Sequence, residues 1–546
     1  MKKTLFLIAM FLVLGVSAQR NLTTEQWQED LRFLQNTVHK DYSFLFKKIT
    51  SEDFDAEVET LYNEIPNLQE HEIIVGFSRI VSSFKYGHTS FGFWYGSNFR
   101  QLPLNMYQFS DGVYIQGTHK NYEQILGAKV LRVGNYDIEE ALEKIYPTVP
   151  SENDQFFKAD GVRYLTYIEF LHAQGITDTL SNSVTYTLEK EGKVFKQTIT
   201  NVNQAIPLTY RLVRQDNDWL DVRNQEETPY YLKHLDKIYY YEYLPEDKTV
   251  YVRHSQIQDD PNQPIPSFYQ EVFDFIDEND VEKLVLDYRL NGGGNNYKNK
   301  PIVTGIIQSE KINQPGKLFV VIGRQTFSAC QNLVNELSNY TNAIFIGEPT
   351  GENVNFYGDN RQVTLPNSKM PVYLSFAWWQ DKPQWESADW LAPHIAVDMS
   401  FDDYKTNKDP VLDRVLSFSD ENYILNPMNY MYELFSSGQV ERLKAETTRM
   451  ANDSNYDSFD FEGELRYVGN SLLNRDQKDD ALLIFQFITE LYPESSDAWN
   501  DLGDNYFKMS NKKEALKAYK KVLKLNLDSE AIQYAKEMIR KTKELS

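Results

Sequence analysis

The sequence predicts a mixed α/β core on a mostly parallel sheet, flanked by an N-terminal helical region, a β region and C-terminal helical repeats. Three observations predict it. From residue 265 onward short apolar runs alternate with helical patterns; before that, aromatic and β-branched runs are broken by turn residues; and residues 461 to 546 repeat themselves at a fixed period. A chain of 546 residues with 41% hydrophobic and 14% aromatic content has enough apolar side chain to build several cores.

The chain opens MKKTLFLIAMFLVLGVSAQ, two lysines followed by an apolar stretch from Leu5 to Val16 and the small residues Ser17 and Ala18. This pattern predicts a secretory signal peptide over residues 1–18, cut after Ala18. No later segment supplies the ~20 apolar residues a spanning helix needs. The mature chain is therefore expected to be exported, periplasmic or secreted, with no transmembrane segment. Residues 19–95 read as helices, opening with a capping box at Thr23 or Thr24. Residues 96–205 read as short strands around turns with one helix, in LPLNMYQFSDGVYIQGT and AKVLRVGNYDIEEALEKI.

Residues 206–425 are assigned to the α/β core. KIYYYEYLPEDKTVYVRHSQI, residues 237–257, predicts a hairpin turned by PEDK. After it come a helix in PSFYQEVFDFIDEN, the strand KLVLDYRL, a Gly-rich turn, a helix, the strand KLFVVIG, a helix beginning at Ser328, and the strand AIFIGEP. In such sheets sites form at the carboxyl ends of the strands, where Ser328 falls. Residues 426–460 are read as a linker. In residues 461–546 Gly469 and Gly503, Ala481 and Ala515, and Phe485 and Tyr519 are each 34 apart, and with Trp499, Leu502 and Tyr506 they resemble tetratricopeptide helix pairs.

The 56 Lys and Arg against 79 Asp and Glu leave a net charge of -23, which repels phosphate backbones and anionic headgroups, so nucleic acid is not an expected partner. The single cysteine, Cys330, has no intrachain partner for a disulfide and rules out a cysteine metal cluster. Two readings of Ser328 stand side by side. With Gln331 three residues on, it forms a capping-box pattern; at a strand-to-helix turn it is also placed as a nucleophile beside the positive end of a helix.

LDYRLNGGGNN (residues 286–296), TFSACQN (326–332) and GEPTGENVNFYGD (347–359) together resemble the C-terminal processing and tail-specific serine peptidase family, with its tricorn-core branch. The resemblance is best over residues 265–415; residues 100–145 look like that family's PDZ-like domain. It implies Ser328 as nucleophile and an oxyanion hole from the N–H of Ala329 and one from the turn Gly292, Gly293, Gly294, for which Gly293 and Gly294 are taken as donors. The tail-specific branch carries a lysine base in a run of the type Gly-Glu-Pro-Thr-Phe-Gly-Lys-Gly, and here Asn353 stands at the lysine position. The tricorn branch implies instead His88, in FKYGHTSFGF, as general base, oriented by Glu386 or, as a second choice, Asp389. The expected activity is hydrolysis of peptide bonds in polypeptides through an acyl-enzyme, with no cofactor or metal. The repeats are expected to dock a protein partner. Because family-like domains also occur in retinoid carriers, an inactive ligand-binding or scaffold protein remains the alternative.

Overall fold

In a computed structural model, residues 22–419, 421–525 and 527–544 are described, so the expected signal peptide lies outside the described residues. The chain divides into two compact units, residues 1–392 with 397–418, and residues 393–396 with 419–546.

In the first unit three helices, Thr24–Asp41, Ser51–Glu64 and Glu70–Ser82, lead the chain. The first is opened by the capping box of Thr23 with Gln26, and its apolar stripe buries Leu31, Leu34 and Val38. The third is apolar on most of its circumference and is buried accordingly. Buried Asp30 of the first helix accepts the N–H groups of Asn367 and Ser368 at 2.7 and 2.8 Å, tying that helix to a distant turn. That turn joins the long strands Asn355–Thr364 and Pro371–Gln380 into an antiparallel hairpin. The short strand Ser90–Phe91 adds to it, Ser90 opposite Tyr373, so the loop just before it is anchored to the hairpin. Among the described residues no helix is long and apolar enough to cross a membrane.

The β region is an antiparallel sheet of seven strands, from Leu104–Phe109 to Lys193–Thr200, with Trp219–Asp221 paired to Gly112–His119. That last strand carries the region past residue 205, the expected boundary; pairing in the sheet, invisible to local pattern, decides it.

In the core, Tyr239–Leu244 lies antiparallel to Thr249–His254, and parallel strands Lys283–Asp287, Leu318–Ile322 and Ile344–Gly347 follow in order. These central strands read as continuous apolar runs because both faces are buried: the helices Ile265–Glu278, Lys300–Gln308 and Ala329–Tyr340 share one apolar cluster with Val250, Leu284, Leu286, Leu318 and Val320, and on the other face Phe418 packs on Phe319. The carboxyl ends of the three parallel strands run into the glycine turn, the Ser328 turn and the 348–354 loop.

The second unit is helical. The helices Pro427–Ser436 and Val440–Ala451 occupy the stretch expected to be a linker, and Met431, Leu434, Leu443 and Met450 pack into one core with the repeats. In the second of them, VERLKAETTRMA, the apolar positions are interrupted by charge, which hides it from composition. The 34-residue period has a steric cause. A Cβ on Gly469 would lie 2.6 Å from the Phe485 ring, and one on Gly503 2.4 Å from the Tyr519 ring, so each glycine admits an aromatic of the paired helix.

Candidate active site

Strand Leu318–Ile322 ends in a tight turn held by Thr326, whose N–H donates to Gly323 O (2.8 Å) and whose hydroxyl donates to Tyr288 O (3.0 Å). Phe327 N–H donates to Asn291 O at 3.1 Å, fastening this turn to the glycine turn after the neighbouring strand. Ser328 follows with φ 56° and ψ -127°. A residue with a Cβ pays of order 1–3 kcal/mol to sit there, and such strain persists where the surroundings enforce it. The hydroxyl caps nothing: Ser328 has no side-chain hydrogen bond to the first turn, and the Gln331 amide donates to Asn335 Oδ1 at 3.0 Å. The capping-box reading of this serine is therefore not what the structure contains.

The glycine turn presses against the serine. A Cβ on Gly293 (φ +95°) would lie 2.6 Å from Ser328 Cβ and 2.8 Å from Ala329 N. The two expected glycine donors are not equivalent. Gly293 N–H is occupied by Asn291 Oδ1 at 2.9 Å, whereas Gly294 N–H and Ala329 N–H have no partner among the described residues. Ala329 opens the helix, so its N–H is one of the donors the helix cannot satisfy.

His88 sits in the loop between the third helix and strand Ser90–Phe91. Its carbonyl accepts from Asn360 Nδ2 at 3.1 Å, and Thr89 Oγ1 donates to Ser375 Oγ at 2.8 Å, so the hairpin fixes the loop on both sides. The imidazole stacks on Phe327, next to the serine, with centroids 4.9 Å apart and planes 21° apart. Burial lowers its pKa to about 4, against a small upward pull from Asp359. The neutral ring is the resting form at neutral pH.

The acid beside His88 is Glu352. Its Oε1 is 3.5 Å from His88 Nε2, and its Oε2 accepts the N–H of Ser328. At 3.5 Å the imidazole and Oε1 do not yet form a hydrogen bond, and both atoms are buried without one. Glu352 is fully buried, and burial together with neighbouring Glu152 holds its carboxyl well above the usual carboxylate range, while the Ser328 N–H and Lys48 oppose the shift. Glu386 and Asp389 do not occupy this place. Both lie exposed on the loop after the hairpin, where their backbone carbonyls accept from Asn355 Nδ2 (2.9 Å) and Asn153 Nδ2 respectively. Sequence reasoning missed Glu352 although it sits directly before Asn353, in the run searched for a lysine.

Asn353 donates its N–H to Glu152 Oε2 at 3.3 Å. In the amide orientation that satisfies both ends, its side-chain oxygen lies 2.6 Å from Lys48 Nζ and its nitrogen 3.1 Å from Asp389 O. Ser328, His88 and the three glycines all line one cleft of about 800 Å³. Among the described residues one group could ligate a metal, His71, Glu72 and His172; there His71 Nε2 and His172 Nδ1 are 2.9 Å apart and satisfy each other directly.

Residues 496–529 match the tetratricopeptide repeat model. A search of curated proteins by sequence returns no match. Among solved structures, mature CPAF superposes with a TM-score of 0.51 at 12% identity, covering 74% of this chain and 99% of that one. A CPAF mutant gives 0.49 at 12%, covering 74% and 99%, and the tricorn protease 0.35 at 11%, covering 72% and 36%. Over that share of its length the chain has the fold of mature CPAF.

Proposed function

We propose that a serine whose hydroxyl is withheld from its helix, beside a neutral imidazole and a buried carboxyl, makes this chain a serine peptidase acting through an acyl-enzyme. The observation that carries the reading is the Ser328 turn: a strained residue with an uncommitted hydroxyl, lining one cleft with His88. Ser328 Oγ attacks the substrate carbonyl as its proton passes to His88. With Nε2 facing Glu352, the accepting lone pair is on Nδ1. The charge on the carbonyl oxygen is met by the N–H groups of Ala329 and Gly294. Glu352 orients the ring; His88 then gives the proton to the leaving amine, and water repeats the sequence to release the acyl group. Asn353 has no proton to handle in this scheme.

Polypeptides are the proposed substrates, outside the cytoplasm if the leader directs export, and the tetratricopeptide unit is proposed to dock a protein partner. A fluorophosphonate probe tests the reading: it should label the purified mature chain and fail to label Ser328→Ala. Two features favour a second reading, a ligand-binding or scaffold protein: Asn353 at the lysine position and the unmade His88–Glu352 hydrogen bond. If the folded chain neither takes the probe nor cleaves an unfolded protein, that reading replaces the first.

A further inference from the structure

Glu152 belongs to none of the motifs in the sequence, yet it is 5% exposed and its two oxygens reach two different loops. Oε1 accepts the N–H of Gly87 at 2.9 Å, and Oε2 accepts the N–H of Asn353 at 3.3 Å. Gly87 directly precedes His88, and Asn353 directly follows Glu352. One carboxylate thus spans the backbone of both loops whose side chains meet at 3.5 Å.

The neighbouring residues reinforce the span. Asn153 Nδ2 donates to Thr350 O at 3.4 Å, holding the acid loop a second time. Phe156, one turn into the following short helix, packs on Gly87, where a Cβ would come within 2.5 Å of its ring, and on Phe327 with centroids 5.5 Å apart. The charged groups facing Glu152 are Lys48, Asp389 and Glu352, with the Tyr86 hydroxyl also near it. Lys48 Nζ donates to the Glu152 carbonyl at 3.4 Å and to Lys85 O at 3.2 Å. Burial raises both carboxyls above the usual range, Glu352 the further, and Lys48 is the cation that opposes the shift in each. A second charge left unpaired there would be costly.

We propose that Glu152 is a positioning residue: its carboxylate fixes the separation of the His88 and Glu352 loops, and so the geometry in which the imidazole is oriented. The inference rests on the triad reading of Ser328, His88 and Glu352. A glutamine is nearly isosteric but offers a donor where one of the two backbone N–H groups requires an acceptor, so it releases one loop.

The experiment compares the full mature chain with Glu152→Gln and Glu152→Asp. For Glu152→Gln, kcat should fall on the order of 10²-fold, the loss typical of a small misplacement of a reacting group, with KM changed less than about threefold. Glu152→Asp keeps the charge and should recover part of that loss. The titration of the His88 imidazole, followed by NMR and assigned with His88→Ala, should move in Glu152→Gln. That readout does not need turnover, so a wild-type chain that neither hydrolyses nor takes a fluorophosphonate sinks the triad reading, while a moved His88 titration still upholds the clamp. Glu152→Gln with wild-type kcat and an unmoved His88 titration, at whatever melting temperature, overturns it and leaves Glu152 as a buried structural acid. If Glu152→Gln does not fold, the same two readouts on Glu152→Asp decide, with no change in either again overturning the proposal.

Discussion

A serine hydroxyl that caps a helix is committed to a backbone N–H of the first turn; the Ser328 hydroxyl is not, which is what the proposed nucleophile requires. Ser328→Ala and His88→Ala should each lower kcat/KM by roughly three to six orders of magnitude, without additivity in the double variant. Glu352→Gln should lose less than either, since it keeps the shape of the orienting group. The pH profile is a separate expectation. His88 must be neutral to accept the serine proton, and burial lowers its pKa to about 4. Activity should therefore persist as pH falls through 6.5, the ordinary imidazole value, and be lost only near pH 4. A measured acid limb at 6.5 or above would mean that an ionised carboxylate faces the ring. Ser328 was legible in the sequence from its strand-to-helix turn, and His88 from a family resemblance. Glu352 was not, because nothing local marks it: its meaning comes from His88, which the fold brings to it from the other end of the unit.

At the scale of elements, the site is three strand ends and one imported loop. The apolar runs of the parallel strands and the helices between them were readable because burial on both faces leaves an unbroken hydrophobic signature. The helix Val440–Ala451 was not, because its apolar stripe is sparse. The glycine turn makes a sharp expectation. Gly293→Ala places a methyl 2.6 Å from Ser328 Cβ at φ +95°, so the turn or the serine must shift. Labelling of Ser328 by a fluorophosphonate should slow at least tenfold with the fold retained by circular dichroism. Gly294 N–H, left without a partner, is the donor such a shift would displace.

On the scale of the whole molecule, each unit encloses its own apolar clusters. Leu31, Phe77, Leu284 and Val320 lie in the first unit, and Leu465, Phe485 and Ala498 in the second. Separate cores unfold as separate cooperative units, so calorimetry on the full chain should resolve two transitions. Gly503→Ala, which crowds the Tyr519 ring at 2.4 Å, should lower one of them by about 1–3 kcal/mol and leave the other in place. The order of the regions could be read from the sequence, but their edges could not. Trp219–Asp221 joins a sheet begun a hundred residues earlier, and no window of local pattern contains both. The lone thiol also reports on the whole fold. Cys330 lies in the second position of the serine helix with no exposed surface, and burial drives its pKa well up, so it is closed to electrophiles while the first unit is intact. A disulfide-exchange reagent should thus react with almost none of the native chain and with one thiol per chain in denaturant. Its rate in dilute buffer then clocks spontaneous opening of the first unit, giving this protein a built-in stopwatch for its own unfolding that needs no engineered probe.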